Sequence, residues 1–310
     1  MTPRLVVVGS LNMDFVVSVE RLPSPGETVL GTQFRMIPGG KGANQACAAG
    51  KLGAPRVTTA MAGRVGYDVF ADHLKASLSA AGVDVSSVHA TRSEPTGVAL
   101  ISVDRGAQNT IVVAPGANHA LSTADVQGLR AVFHGASYAL FQLESPLPSV
   151  EAAMRLAREE GAKTILDPAP AQIDAASLLG LVDILTPNES EACLLLGRAP
   201  ARITAAEAPE LGRALLARGA RAVILKLGEQ GAFYCDATGG LFGPGFAVTA
   251  VDTTAAGDTF NAALAVALAE GKEMPDALRF ANAAAAISVT RAGAQSSVPS
   301  RAEVDAFLVA

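Results

Sequence analysis

The chain has 310 residues, a formal net charge of -5, 50% hydrophobic residues and 17% charged ones. That is ample material for a large buried core, and although the length alone would suit about two domains, α/β folds of this size are often one unit. No Lys/Arg block or basic stripe interrupts the mildly acidic balance, so nucleic acid is not an expected partner. The three cysteines, Cys47, Cys193 and Cys235, form no CxxC pair, and the four histidines do not cluster. Zinc and a disulfide framework are therefore not expected, and the thiols read as buried and free.

In chain order, Met1-Thr2-Pro3-Arg4 opens onto Leu5-Val6-Val7-Val8, a buried parallel strand ended by Gly9. This apolar run is too short for a signal peptide or a membrane span, so the cytoplasm is the expected compartment and no membrane partner is expected. Segment 15–37 reads as strands and turns punctuated by Pro23, Pro25 and Gly26. Gly39-Gly40-Lys41-Gly42-Ala43-Asn44-Gln45-Ala46 reads as a glycine-rich turn leading into an alanine-rich helix. Segment 96–113 is again strand-like. Four further apolar runs follow, at 139–142, 164–167, 184–186 and 222–225, with helical stretches over 150–160 and 205–218. This alternation predicts βαβ units in an α/β fold: one unit over 1–310, with a doubly wound, mostly parallel sheet flanked by helices. Ligands of such sheets bind beyond the carboxyl ends of the strands. Asp14, Glu144, Asn188 and Gly228 all follow strands, so they are placed to converge.

The most informative stretch is Val251-Asp252-Thr253-Thr254-Ala255-Ala256-Gly257-Asp258-Thr259, followed by an apolar helical segment from Phe260 through Leu268. Small residues allow close approach of backbone to a ligand, and a helix start offers unpaired N–H groups to an anion. Asp258 in that setting is either a helix cap or a base beside a phosphate. Thr186-Pro187-Asn188-Glu189-Ser190-Glu191 reads as a helix start with acids in its first turn. Leu227-Gly228-Glu229-Gln230-Gly231 reads as a turn after a strand. Lys41 is followed by Gly42, so the glycine-rich turn is not a P-loop. Val8 is followed by Gly-Ser-Leu-Asn-Met-Asp rather than GxGxxG, which sets aside a dinucleotide-dependent oxidoreductase.

The 251–264 segment and the Gly39–Ala46 turn, in this order and this far apart, closely resemble the two signatures of the ribokinase, or phosphofructokinase-B, family of ATP-dependent sugar kinases. The resemblance runs from Val8-Gly9-Ser10-Leu11-Asn12-Met13-Asp14 to Gly293-Ala294-Gln295-Ser296-Ser297-Val298-Pro299. It implies Asp258 as general base and the Ala255-Ala256-Gly257 backbone as anion hole. Asn12, Asp14, Gly40, Lys41, Asn44 and Glu144 then match the sugar-contacting positions. Asn188 falls near the ATP phosphates, and Glu191 on the water shell of Mg²⁺. The Gly228-Glu229-Gln230-Gly231 loop would wrap the nucleotide. Lys226 would add charge near the phosphates or face solvent, and Asn282 would lie near the adenine. Asp252, Thr254, Ser288, Arg291, Gly293 and Ser297 match a K⁺ site. Segments 15–37 and 96–113 match a β lid over the sugar that also forms a homodimer interface. The expected reaction is phosphorylation of D-ribose at its 5-hydroxyl. The alternatives are 2-deoxyribose, a ketohexose or a nucleoside as acceptor, or a non-catalytic sugar-binding protein on the same fold.

Overall fold

A computed structural model describes residues 2–106 and 108–309. Thirteen strands are assigned: β1 (Arg4–Val8), β2 (Asn12–Val19), β3 (Gly31–Gly39), β4 (Thr58–Gly66), β5 (Val83–Thr91), β6 (Gly97–Val103), β7 (Asn109–Ala114), β8 (Ala136–Phe141), β9 (Lys163–Leu166), β10 (Ile184–Leu185), β11 (Ala222–Lys226), β12 (Gly231–Asp236) and β13 (Gly239–Pro244). The helices are α1 (Lys41–Gly53), α2 (Val69–Ala80), α3 (Thr123–Gln127), α4 (Arg130–Phe133), α5 (Leu147–Glu159), α6 (Glu189–Leu195), α7 (Ala208–Leu216), α8 (Ala256–Ala269), α9 (Met274–Ser288) and α10 (Arg301–Val309).

Nine strands form one sheet in the order β13-β12-β11-β10-β9-β8-β1-β4-β5. From β5 to β11 the neighbours run parallel, and β12 and β13 close the far edge as an antiparallel hairpin. The fold is α/β, as the alternation of runs and helices predicts. In β1 the side chains alternate between two cores. Leu5 and Val7 join the layer built with α1, α2, α8 and α9, while Val6 and Val8 join the layer built with α3 to α7. A strand covered on both faces has no polar side to show, which is why Leu5–Val8 is an unbroken apolar run.

The chain leaves β1 toward β4 and β5, then returns to β8 on the other flank of β1. The crevice beyond the carboxyl ends of β1 and β8 is the switch point where such sheets bind ligands. A second sheet of four strands, in the order β3-β2-β6-β7, comes from the two segments that break the βα rhythm. Its strands begin and end at the crevice: Asn12 of β2 pairs with Gly39 of β3 and with Gly97 of β6. The second of these segments, 96–113, where a lid is expected, includes Ala107, which lies outside the described residues. No helix among the described residues is long and apolar enough to cross a membrane. Cys47, Cys193 and Cys235 are buried and unpaired.

Candidate active site

Asp258 lies in the first turn of α8 and is buried. Its carboxylate does not cap the helix. Oδ1 accepts from Gln45 Nε2 at 3.0 Å and Oδ2 from Asn44 Nδ2 at 3.1 Å. Both donors belong to α1, whose first turn the glycine-rich segment creates. Gly40 precedes α1 with φ 87°, and a Cβ there would meet Asn12 N at 2.7 Å. A Cβ on Gly42 would meet the backbone of Gly9 and Ser10 at 2.7 Å, so α1 can touch the end of β1 only if this residue is glycine. The amide of Gln45 is oriented in turn by Gln142 Nε2, which donates to its Oε1 at 2.7 Å.

Ala255 ends the loop before α8 with φ 58°, the one positive φ outside glycine among the described residues. This left-handed step turns the chain so that the N–H groups of Gly257 and Asp258 find no acceptor among the described residues. The N–H of Ala256 instead turns back to Thr253 O at 3.2 Å. The Ala255 N–H likewise has no acceptor among the described residues, so two of the three expected donors, Ala255 and Gly257, are open here, joined by Asp258, while Ala256 is turned back. Burial pushes the Asp258 carboxyl up, and Asp167 adds to this, while Lys41 and the two side-chain amides pull it down. Burial also opposes the charge of Lys41, but Asp258, Asp167, Glu144 and Glu191 together outweigh it and hold the ammonium well above its usual value.

Beside the base, the ends of β1, β2, β3 and β8 supply a second polar group. Glu144 Oε2 accepts from the Lys41 N–H at 3.1 Å and from the Ser10 hydroxyl. Asn12 is held by Asn118, whose Nδ2 donates to its Oδ1 at 2.7 Å. Asp14 stacks on Gly39, where a Cβ would lie 2.1 Å from its carboxylate. Burial first, and the neighbouring Glu144 second, push the Asp14 carboxyl up to about 7. The buried Asn44 keeps its Oδ1 without a partner among the described residues. The six expected sugar-side residues therefore come together around one corner of the crevice.

The other side of Asp258 opens into a cleft of about 420 Å³ lined by Lys41, Asp167, Asn188, Glu191, Lys226, Gly228 and Ala255–Asp258, among others. Asn188 and Glu191 form a reciprocal cap of α6, with Asn188 Oδ1 accepting from the Glu191 N–H at 2.9 Å and Glu191 Oε2 from the Asn188 N–H at 2.7 Å. They are thus both a helix start and part of the cleft wall. Burial raises the Glu191 carboxyl. Lys226 does not face solvent: its Nζ donates to Asp167 Oδ1 at 2.8 Å inside the cleft. Gly228 lines the cleft, whereas Glu229 and Gly231 do not. Gly231 is required by its own hairpin, since a Cβ there would meet Gly243 O at 2.2 Å. Asn282 sits apart from this lining and donates to the carbonyls of Gly243 and Pro244 at 3.0 and 3.1 Å.

Among the described residues no group of His, Cys, Asp and Glu forms a ready-made metal site. An ion in the cleft would need phosphate oxygens and water as its main ligands, which is how Mg²⁺ is usually held. The residues matched to a K⁺ site surround Asp252, which ties two loops together. Its Oδ1 accepts from Thr254 N at 2.9 Å and its Oδ2 from Gly293 N at 2.8 Å. Burial opposes ionisation of Asp252, but these bonds and Arg35 outweigh it and keep the carboxyl low. The carbonyls of Thr254, Gly293 and Ser297 accept no backbone N–H among the described residues, so they fit a cation held by carbonyl oxygens. Ser288 O accepts from Arg291 N at 3.2 Å, and the Arg291 guanidinium is drawn away by Glu303.

Residues 2–301 match the model of the pfkB family carbohydrate kinases. The chain belongs to that family. It is 42% identical to the ribokinase of Haemophilus influenzae over 99% of each chain, and 40% identical to that of Bacillus subtilis over 98% of this chain and 99% of the relative. Its fold is similar to that of Arabidopsis thaliana ribokinase complexed with ribose and ATP, at a TM-score of 0.87 and 36% identity over 99% of each chain. Thermotoga maritima ribokinase superposes at a TM-score of 0.88, with 38% identity over 99% of each chain.

Within this pfkB-family site, several functional side chains escape a reading of the sequence. Asp167 closes the run at 164–167 like any strand-end residue, yet it contacts both Lys226 and Gln45. Gln45 lies inside the glycine-rich signature but carries no charge to mark it. Gln142, Asn118 and Ser10 act only through partners distant in sequence. The one available signal is position, since each follows or ends a strand of the sheet or, for Asn118, the small sheet.

Proposed function

We infer that the protein transfers the γ-phosphoryl group of ATP to the 5-hydroxyl of D-ribose, giving D-ribose 5-phosphate and ADP. The observation that carries this reading is Asp258, a carboxylate held by two amides at a helix start whose N–H groups are open. The full-length likeness to ribokinases supports D-ribose over a ketohexose or a nucleoside, and the intact base argues against a sugar binder without catalysis.

Asp258 accepts the proton of the 5-hydroxyl as its oxygen bonds to the γ-phosphorus. The bond from that phosphorus to the β–γ bridging oxygen breaks, and ADP leaves with the electron pair. Little covalent chemistry falls to the protein, so positioning and electrostatics do the work. The Gly257 and Asp258 N–H groups, with the dipole of α8, bear the charge on the transferring oxygens. Lys41 favours the ionised form of Asp258 against its burial. Asn12, Asp14, Gly40, Lys41, Asn44 and Glu144 hold the sugar. Glu191 would order the water shell of Mg²⁺ on the phosphates, and the Thr254, Gly293 and Ser297 carbonyls beside Asp252 would hold K⁺. Either cation would supply positive charge next to the phosphates.

The small sheet acts as the lid of a single ribokinase-like domain and excludes water from the transfer. Phe34, Met36, Leu100, Ile111 and Val112 leave half or more of their surface exposed on it. An apolar face of this extent suits a homodimer built lid to lid. An ATP-using kinase of this kind belongs in the cytoplasm.

The test is ADP release from the wild type across a panel of D-ribose, 2-deoxy-D-ribose, ketohexoses and nucleosides. D-ribose is expected to lead, and leadership by another acceptor would overturn the assignment. A carboxylate placed for a hydroxyl is left unpaired when that hydroxyl is missing. The preference over 2-deoxy-D-ribose is therefore expected to be on the order of 10–10³ in kcat/KM.

A further inference from the structure

The cleft holds more charge than the reaction above accounts for. Lys226 is one of two lysines in its wall, and Asp167 is a carboxylate to which no step has yet been given. The side chain of Asp167 is 4% exposed and that of Lys226 13%. A buried pair of this kind is costly to assemble and is weak as a source of stability. Its geometry suggests a different use.

Three relations define that geometry. Lys226 Nζ donates to Asp167 Oδ1 at 2.8 Å. A Cβ built on Gly257 would lie 3.4 Å from the same nitrogen. Asp167 Oδ2 accepts from Gln45 Nε2, the group that also holds Asp258 Oδ1, both at 3.0 Å. The ammonium therefore stands over the open helix start of α8 with N–H groups to spare. An oxyanion seated on the Gly257 N–H would lie against it.

The same placement carries a hazard. The carboxylates acting on Lys226 are Asp167, Glu191 and Asp258. Free of Asp167, the lysine would turn to the base and form an ion pair with it. Asp258 so paired would be a poorer proton acceptor, because the ammonium stabilises its ionised form.

We propose that Asp167 is a positioning residue, which anchors Lys226 above the N terminus of α8 as a cation for the transferring phosphoryl group and keeps it off the catalytic base Asp258. The proposal rests on the kinase reading above. Lys226 then touches the reacting phosphoryl oxygens, and Asp167 acts only through Lys226 and Gln45. No covalent bond to either residue is formed or broken. The amide of Gln45, bridging Asp167 and Asp258, keeps the two carboxylates at a fixed separation.

The test is a set of four variants assayed with D-ribose and ATP, with ADP binding measured by calorimetry in parallel. Lys226→Thr is expected to lower kcat on the order of tenfold and to weaken ADP, leaving KM for ribose within about a factor of two. Lys226→Arg keeps the charge and is expected to recover most of that loss. Asp167→Asn is expected to lower kcat on the order of a hundredfold, because the lysine is both misplaced and paired with the base. The deciding variant is Asp167→Asn with Lys226→Thr. With no lysine left to quench Asp258, it is expected to return to the level of Lys226→Thr alone, several-fold above Asp167→Asn.

A double variant no more active than Asp167→Asn would overturn the proposal, as would a Lys226→Thr enzyme with unchanged kcat and ADP affinity. Should Asp167→Asn alone fail to fold, the Lys226 variants and the double variant, which buries no unpaired charge, still decide. Wild type inactive on ribose would sink the kinase reading instead, and the ADP calorimetry does not depend on the sugar.

Discussion

At the residue scale, Asp258 is a buried carboxylate, and burial raises its pKa. Lys41, ahead of the Gln45 and Asn44 amides, pulls it back down against burial and Asp167. Replacing Lys41 with Met removes that help. The protonated form of Asp258 then persists to higher pH, so the acid limb of the kcat profile is expected to move upward; a limb that stays in place would contradict this. Asp14 makes a second case. Its carboxyl, raised to about 7 by burial and Glu144, is protonated in the folded chain where an unfolded chain would ionise it. Folding thus binds an extra proton between the ordinary carboxyl value of 3.8 and about 7, and stability falls as pH rises through that window. Asp14→Asn is expected to raise the melting temperature on the order of 4 °C at pH 8 and hardly at all below pH 4, while lowering kcat/KM for ribose. A melting temperature unchanged at pH 8 would show that the strain is absent.

At the scale of elements, the start of α8 is the part most exposed to single substitutions. Ala255 holds a left-handed conformation that costs a residue with a Cβ about 1 kcal/mol or more. Ala255→Gly is expected to keep activity and stability, whereas Ala255→Val, with a β-branched side chain in that conformation, is expected to lose both. Equal melting temperatures for the two variants would contradict the strain. The small sheet gives the second prediction at this scale. Charged residues at Leu100 and Val112, both exposed in the protomer, are expected to shift sedimentation from dimer to monomer without unfolding. A wild type that sediments as a monomer would overturn the lid-to-lid homodimer.

For the molecule as a whole, the sheet was legible because a doubly covered strand must be apolar throughout, as Leu5–Val8 is. The glycine-rich turn was legible because Gly40 and Gly42 sit where any Cβ would strike backbone. The start of α8 at Ala256, rather than at the first large apolar residue, was not legible. Its opening turn is made of small residues, Ala256 and Gly257, which bring no large apolar side chain to the core. The links between distant strand ends were equally hidden. Asp167 meets Gln45 and Lys226 only after the sheet has brought β9, β11 and α1 together. Lys226, open in sequence to either solvent or phosphate, is settled inward by that carboxylate. Asp258→Asn tests the role of Asp258 as the base of phosphoryl transfer most directly. That variant keeps acceptor and donor capacity near Asn44 and Gln45 but cannot take a proton. Its kcat with D-ribose and ATP is expected to fall about 10²–10⁴-fold while ADP affinity and melting temperature stay near those of the wild type. Turnover within a factor of about two of wild type would contradict the account.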